Sequence, residues 1–354
     1  MPSVTIVMAC HNGMPYLPDA LDSIRCQSFS DWELIVVNDG SADGSCRCLD
    51  EFARRDPRIR VIHQANRGQH VAADCGIRLA RGEFIARMDA DDVCQPNRLE
   101  MQVRYLRERP EVGLVGGQIC RLGAQRHGLQ SNLPTDHLAI RRRLQRNHHA
   151  MCNPTVMFRK SLYDRVGGYW SHNIAEDWDL FLRIGEISEL ANLPDVVLHY
   201  RFHTSSINGK RIVQAQLYNE FAAHLSRLRE SGTQEVSFEE FRRGHAVSRW
   251  PHAWFFYADA LSIGQYREAV AEILCGKRMT GGARLLLAMA MSPARTWRRF
   301  RRMMTRIESP RTSESNSGDI GERHKTMRPS PITSAAVSSF EHSDGVGAQH
   351  VESA

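Results

Sequence analysis

Five short apolar runs recur through residues 1–122, and between them the apolar residues fall at helical spacing. The runs are Val4–Ala9, Trp32–Val37, Ile59–His63, Phe84–Met88 and Gly113–Leu122. Leu17, Leu21 and Ile24 mark a helix over Tyr16–Gln27, and Leu49, Phe52 and Ala53 mark a second. Val71–Ala80 is a third, and Pro96 opens a fourth that runs to Arg109. Near-continuous apolar strands suit burial on both faces, and strands alternating with helices build an open, parallel sheet. We therefore expect an α/β fold around a doubly wound, mostly parallel sheet.

Farther along, 123–136 is loop-like, His137–Arg146 reads as a basic helix and Thr155–Phe158 as a strand. Trp178–Ile187 reads as helix and Val196–Phe202 as strand, and beyond Asn208 only helices follow. The expected organisation is a sheet domain over 1–208, with halves 1–122 and 123–208, then a helical region over 209–307. A tail over 308–354, rich in Ser, Pro, Gly, Glu and His, is expected to be disordered.

At 354 residues the core needs no disulfide staples. The nine cysteines are scattered without a paired Cys-x-x-Cys zinc framework. Cys46-Arg47-Cys48 reads as one buried and one exposed thiol on a helix. Free thiols, with no basic leader in Met1–Cys10, lead us to expect a reducing cytosol. The longest smooth apolar run, Leu285–Met291, is far short of the ~20 residues of a membrane span. The formal charge of +6 is modest, but arginines crowd 295–306, with Trp297, Phe300, Met304 and Ile307 on one helical stripe. That pattern suits a membrane-surface or partner-docking element, and equally a last helix packed on the body. No nucleic-acid motif accompanies the arginines, so no nucleic-acid partner is expected.

The fourth run stops in Met88-Asp89-Ala90-Asp91-Asp92. Three carboxylates in four residues repel one another unless water or a cation neutralises them, and their hard oxygens suit Mg²⁺ or Mn²⁺. Alternatively Asp91 or Asp92 caps the helix opened by Pro96. The first and second runs also end in polar loops, His11-Asn12-Gly13 and Asn38-Asp39-Gly40-Ser41. Strand ends of a parallel sheet share one edge, so Asp39 and Asp89/Asp91 are candidates to line one crevice. Asp39 suits a ribose hydroxyl or base N–H, or an Asx cap in a tight turn. Neither a G-x-G-x-x-G loop nor a phosphate loop with Lys is present, so a bound nucleotide would rely on a metal to hold its phosphates. Glu176 and Asp177 begin an amphipathic helix, either as dipole-favoured acids or with one of them as a general base. Gly167-Gly168-Tyr169-Trp170 offers a turn with aromatic faces for a sugar ring, and His199-Tyr200-Arg201-Phe202-His203 suits a diphosphate or a metal, or equally one buried His beside a surface Arg.

Taken in order, these residues resemble a known family. The series His11-Asn12-Gly13, Val36-Val37-Asn38-Asp39-Gly40-Ser41, Asn66-Arg67-Gly68, Met88-Asp89-Ala90-Asp91-Asp92, Asn153-Pro154-Thr155, Gly167-Gly168-Tyr169, Ala175-Glu176-Asp177-Trp178 and Tyr200-Arg201-Phe202-His203 is similar to the family 2 (GT2) glycosyltransferases of bacterial cell-surface polysaccharide synthesis. The resemblance spans residues 3–208. It implies a GT-A fold, a nucleotide-sugar donor (UDP-linked by default), Mg²⁺ or Mn²⁺, and inversion at the anomeric carbon. The acceptor is then a saccharide or lipid-linked oligosaccharide, with peripheral contact at the inner face of the membrane through 293–307.

Carried over by position, Asp39 and Asn12 contact the nucleoside, Asp91 coordinates the metal, and Asp89 supports it. Asp177 deprotonates the acceptor, Arg201 and His203 lie near the diphosphate with His203 also a metal ligand, and Glu176, Trp178, Gly168 and Tyr169 stand on the acceptor side. Two departures are His11, where an aromatic Tyr is usual, and Ala73-Asp74, where Arg-Asn is usual. A sugar nucleotidyltransferase is a rival reading, although Cys10–Pro18 lacks the Lys or Arg it would want. A non-catalytic nucleotide-sugar sensor or scaffold on the same fold is the rival from another class.

Overall fold

The computed structural model describes residues 1–122, 127–170, 176–201, 212–244, 252–274 and 276–293, omitting the side chains of 127–129, 252 and 274. The expectations for His203, for the stripe over 295–307 and for the tail over 308–354 lie outside the described residues. All described residues fall in one unit, 1–304.

The first part of the sheet holds β1 (Val4–Cys10), α1 (Leu17–Arg25), β2 (Trp32–Asp39), α2 (Ser45–Arg55), β3 (Ile59–Gln64), α3 (Gln69–Arg78) and β4 (Phe84–Asp89). Next come β5 (Val93–Cys94), α4 (Arg98–Glu108), β6 (Val112–Leu122) and β7 (His127–Gln130). The following part holds α5 (His137–Gln145), β8 (Met157–Arg159), α6 (Lys160–Arg165), α7 (Glu176–Ile187) and β9 (Glu189–Arg201). Four helices close the described chain: α8 (Ile212–Glu230), α9 (Phe238–Gly244), α10 (His252–Leu274) and α11 (Arg278–Met291).

Among the described residues nine strands form one sheet in the order β3-β2-β1-β4-β8-β6-β9-β5, with β7 beside β6. β1, β2, β3 and β4 are mutually parallel, while β8 runs antiparallel between β4 and β6. Side chains alternate between the faces. Ile6, Met8, Val36 and Met88 pack with Leu21, Leu49 and Val103 on one side, whereas Val7, Ile85 and Phe158 pack with Leu144, Phe181 and Ile184 on the other. Helices therefore cover both faces, as the unbroken apolar strands require.

The fold departs from the sequence reading in places. A strand, β7, stands within the stretch read as loop, and β9 begins at Glu189, seven residues before the expected start. Pro194 and Asp195 disguise that strand. Its pairing with β6 shifts register around them, which accommodates a proline that cannot donate to the ladder. The fourth helix begins at Arg98 with Asn97 as its N-cap, so Asp92 caps nothing.

The later helices pack on the body. Arg229 of α8 makes a two-pronged pair with Glu186 of α7 at 2.7 and 2.9 Å, and Trp170 stacks on Phe221 with centroids 5.1 Å apart. α10 and α11 form an antiparallel hairpin, tied by Ser262 Oγ donating to the Ala288 carbonyl and Ser292 Oγ to Asp259, each at 2.7 Å.

Candidate active site

Register brings the strand tips together. Cys10 lies opposite Asn38 across β1 and β2, and Ala9 opposite Asp89 across β1 and β4. The loops beyond them are laced to one another. The Asn12 N–H donates to Ser41 Oγ at 2.9 Å, while Asn12 Oδ1 accepts from the Ala42 N–H at 2.8 Å. Asn12 has φ 54°, a left-handed backbone that Asn tolerates better than most residues. Gly40 is required at φ 71°, since a Cβ there would meet the Asn66 nitrogen at 2.8 Å.

Asp39 is 2% exposed and its carboxylate is already engaged. Oδ1 accepts from Gln64 Nε2 at 2.7 Å and the Arg67 N–H at 2.8 Å, and Oδ2 from the Gly68 N–H at 2.8 Å. Burial alone would raise its pKa, but these donors hold the carboxyl below its ordinary range. Its visible work is to fix the loop after β3; three of its four lone-pair sites are taken, and the one that remains is on Oδ2. His11 joins the same knot, with Nδ1 2.8 Å from the Asp39 carbonyl oxygen.

At the end of β4, ligand oxygens of Asp89, Asp91 and Asp92 lie within 4.8 Å of one another. Asp92 is 1% exposed. Its Oδ1 accepts the Arg201 N–H from β9 at 2.8 Å, and among the described residues its buried Oδ2 has no partner. A buried carboxylate oxygen without a donor is costly, and a bound cation is a partner that would suit it. Burial pushes Asp92 well above its ordinary pKa, and the charges of Asp89 and Asp91 push in the same direction. Asp89 is pushed up to about 6, first by burial and then, against the pull of Arg87, by Asp91 and Asp177. An all-oxygen, over-negative group of this kind fits a hard divalent ion such as Mg²⁺ or Mn²⁺.

Arg201 does not stand free for a diphosphate. Its Nε donates to the Asp91 carbonyl oxygen at 2.8 Å, Nη2 pairs with Asp19 at 3.0 Å, and its guanidinium lies 4.5 Å from the Tyr16 ring centroid. It fastens the acidic loop to α1.

Asp177 and Glu176 open α7. Asp177 is pushed up to about 7, chiefly by burial and then by Glu176, against the helix N–H of Trp178, which donates to its Oδ1 at 2.9 Å. Glu176 is raised for the same first reason. Trp178 points the other way: it is 7% exposed, donates its Nε1–H to the Leu144 carbonyl at 3.1 Å, and stacks on His149. That places it in the core and leaves no face for an acceptor sugar.

The Gly167–Tyr169 turn has a dedicated scaffold. Gly168 has φ 76°, and a Cβ there would press on the Tyr163 ring at 3.1 Å. Tyr163 Oη accepts the Tyr169 N–H at 3.1 Å and donates to Asp74 Oδ1 at 2.7 Å, and Arg183 holds the Gly168 carbonyl at 2.8 Å. The unusual Asp74 thus serves this turn.

Sequence reasoning passed over the cations beneath the acids. Arg87 is 1% exposed inside β4; Nη1 donates to the Val7 carbonyl at 2.7 Å and Nη2 lies 3.9 Å from Asp89. Its positive charge also bears on Tyr169, Glu176 and Asp177. Arg98, equally buried on the other side of β4, donates to the Arg87 carbonyl at 2.7 Å. The available signal was an arginine inside an otherwise apolar run, Phe84-Ile85-Ala86-Arg87-Met88.

A doubly wound sheet with acidic groups at the carboxyl ends of its strands fits the GT-A class of α/β transferase. Residues 5–167 match the family described as glycosyl transferase family 2. The chain is 31% identical over 262 residues to the O-antigen biosynthesis glycosyltransferase WbnJ of Escherichia coli, covering 73% of this chain and 96% of that one. It is also 31% identical to the amylovoran biosynthesis glycosyltransferase AmsE of Erwinia amylovora, over 55% of this chain and 74% of the other. In fold it is similar to the mannosyltransferase PcManGT of Pyrobaculum calidifontis, solved with GDP-Man and Mn²⁺, at a TM-score of 0.53 and 21% identity, over 86% and 84% of the two chains. The chain belongs to glycosyl transferase family 2 and is a glycosyltransferase.

Proposed function

We propose that this glycosyltransferase moves a sugar from a nucleoside diphosphate donor to a hydroxyl of a cell-surface polysaccharide or lipid-linked oligosaccharide, inverting the anomeric carbon. The observation that carries the reading is the pairing of a metal-ready acid cluster on β4 with a neutral-range carboxylate, Asp177, at the start of α7. The names of the relatives, concerned with amylovoran and O-antigen synthesis, support the acceptor class. The GDP-Man and Mn²⁺ held by the mannosyltransferase support the donor class and the metal.

Asp177 takes the acceptor proton as the acceptor oxygen bonds to the anomeric carbon. A carboxylate with a pKa near 7 is matched to that task at neutral pH. The bond to the diphosphate breaks on the opposite face, and the electron pair leaves with the diphosphate oxygen. Asp91, with Asp89 and Asp92, would hold Mg²⁺ or Mn²⁺, which when bound neutralises the charge growing on the leaving group. Asn12 and the remaining lone pair of Asp39 Oδ2 serve the nucleoside, and Glu176, Gly168 and Tyr169 serve the acceptor.

The test is a thermal-shift screen of UDP- and GDP-sugars with and without Mn²⁺, since a ligand that binds the native state raises its apparent stability. It is followed by Asp177→Asn. Loss of a general base lowers turnover by about 10²–10⁴-fold, and donor affinity is expected to stay within about threefold of the parent. A parallel loss of donor affinity would overturn the assignment of the base.

A further inference from the structure

Cys46, His63 and Asp50 form a cluster that the sugar-transfer chemistry does not use. Asn38 of β2 lies opposite His63 of β3 in the parallel register, so the two side chains stand on one face of the sheet. Helix α2 covers that face, since its Leu49 packs in one core with Val36. Cys46 and Asp50, four residues apart, lie on one side of α2, and both meet the His63 ring. The ring and the carboxylate are 42% and 56% exposed, so a small reagent reaches them.

His63 Nε2 lies 3.0 Å from Asp50 Oδ1. An ionised carboxylate only accepts, so Nε2 carries the hydrogen and Nδ1 presents its lone pair. Nδ1 is 3.8 Å from Cys46 Sγ, and Asn38 Nδ2 lies 2.9 Å from each of them. The thiol therefore has a proton acceptor held in one tautomer, and its sulfur has an N–H donor. Cys46 is also the second residue of α2, where the helix dipole favours negative charge. A nucleophile beside a base that a third group orients is the general arrangement of an activated side chain. Other thiols stand differently. Burial pushes Cys10 up to about 11 and also raises Cys94 and Cys152, while Cys26 is exposed with no imidazole beside it among the described residues. The cluster also reaches the loop after β2. Asn38 Oδ1 accepts from Ser41 Oγ at 2.5 Å, and Ser41 Oγ accepts the Asn12 N–H, so an oxygen added to Cys46 Sγ disturbs the amide that holds this loop.

We propose that Cys46 is a peroxide-reactive thiol with His63 as its base, and that its oxidation loosens the loop after β2. His63 Nδ1 takes the thiol proton as the sulfur attacks one peroxide oxygen. The S–O bond forms and the O–O bond breaks; the departing hydroxide takes the proton from His63 and leaves as water. Sulfur is oxidised to a sulfenic acid and the peroxide is reduced. The test treats the full chain with hydrogen peroxide and dimedone, which traps sulfenic acids, and follows each cysteine by mass spectrometry. Cys46 is expected to label at least about tenfold faster than the exposed Cys26, and to lose that advantage in urea and in His63→Gln. Equal rates for Cys46 and Cys26 in the folded parent overturn the proposal, as does an unchanged Cys46 rate in folded His63→Gln. The comparison within the parent decides even if that variant does not fold. In parallel, binding of UDP and of GDP with Mn²⁺ is measured before and after oxidation, with a loss of about fivefold or more expected in the parent and none in Cys46→Ser. This arm rests on the donor site proposed above. Binding unchanged by oxidation removes the coupling to the loop, whereas no binding before oxidation counts against the donor site and leaves the labelling rates to decide the thiol.

Discussion

Arg87→Met removes a buried cation while nearly preserving its length and apolar stem. The guanidinium lies 3.9 Å from Asp89, a separation at which opposite charges attract by about 4 kcal/mol at an effective dielectric constant of 20. The full amount is not lost, because Asp89 escapes by taking a proton. With its pKa pushed up to about 6, neutralising it at pH 7 costs about 1.4 kcal/mol, the smaller of the two penalties. The Val7 carbonyl also loses a charged donor at 2.7 Å, a bond of about 1.5–3 kcal/mol. The variant should therefore unfold about 3–4 kcal/mol more easily at pH 7 in EDTA, as read from urea denaturation. Saturating Mn²⁺ should shrink the difference, because a dication among Asp89, Asp91 and Asp92 takes over the neutralisation that Arg87 provides. Arg87→Lys, which keeps the charge, should fall in between. A metal-free variant as stable as the parent, or a loss of the same size with and without Mn²⁺, would refute the idea that Arg87 balances the acid cluster.

Other perturbations separate the roles of the acids. Asp177, at about 7, and Asp89, at about 6, stand above their unfolded value of 3.8, so the native state binds more protons than the unfolded chain between about pH 4 and 7. Their contribution to metal-free stability should consequently fall as pH rises through that window, while His149, held down to about 4 by burial, contributes in the opposite direction; a stability advantage of the parent over Asp89→Asn/Asp177→Asn that climbs from pH 5 to pH 8 in EDTA would contradict it. Adding Mn²⁺ at pH 6 should release protons, visible as a buffer-dependent heat in calorimetry and absent at pH 9. Asp92→Asn keeps the acceptor for the Arg201 N–H but removes a buried charge, so metal-free stability should hold or rise while Mn²⁺ affinity drops about tenfold or more. Unchanged Mn²⁺ affinity would exclude Asp92 from the ligand set. Tyr163→Phe should cost about 1–3 kcal/mol and raise the acceptor KM more than the donor KM, because Asp74 and the Tyr169 N–H lose their shared partner.

What was legible in the sequence was whatever depends on near neighbours. Strand ends and helices of the first 110 residues follow from apolar period and turn residues, and the shared edge of Asp39 and Asp89 follows from parallel pairing. The reading failed where a residue takes its meaning from a distant segment. Asp92 looks like a helix cap beside Pro96, but its donor is the N–H of Arg201, contributed by a strand whose first half Pro194 and Asp195 disguise. Trp178 beside Asp177 reads as an acceptor-side residue, yet a helix turns adjacent residues about 100° apart, so the two side chains diverge and Trp178 faces the Leu144 carbonyl. Arg87 reads as a blemish in a strand until the fold sets Asp89 and Asp177 above it. Carboxylates from β4 and α7 converge on one small volume, and such a gathering is stable only with cations built beneath it or bound among it. Arg87 and Arg98 supply the first, and the buried Oδ2 of Asp92, which has no partner among the described residues, fits the second.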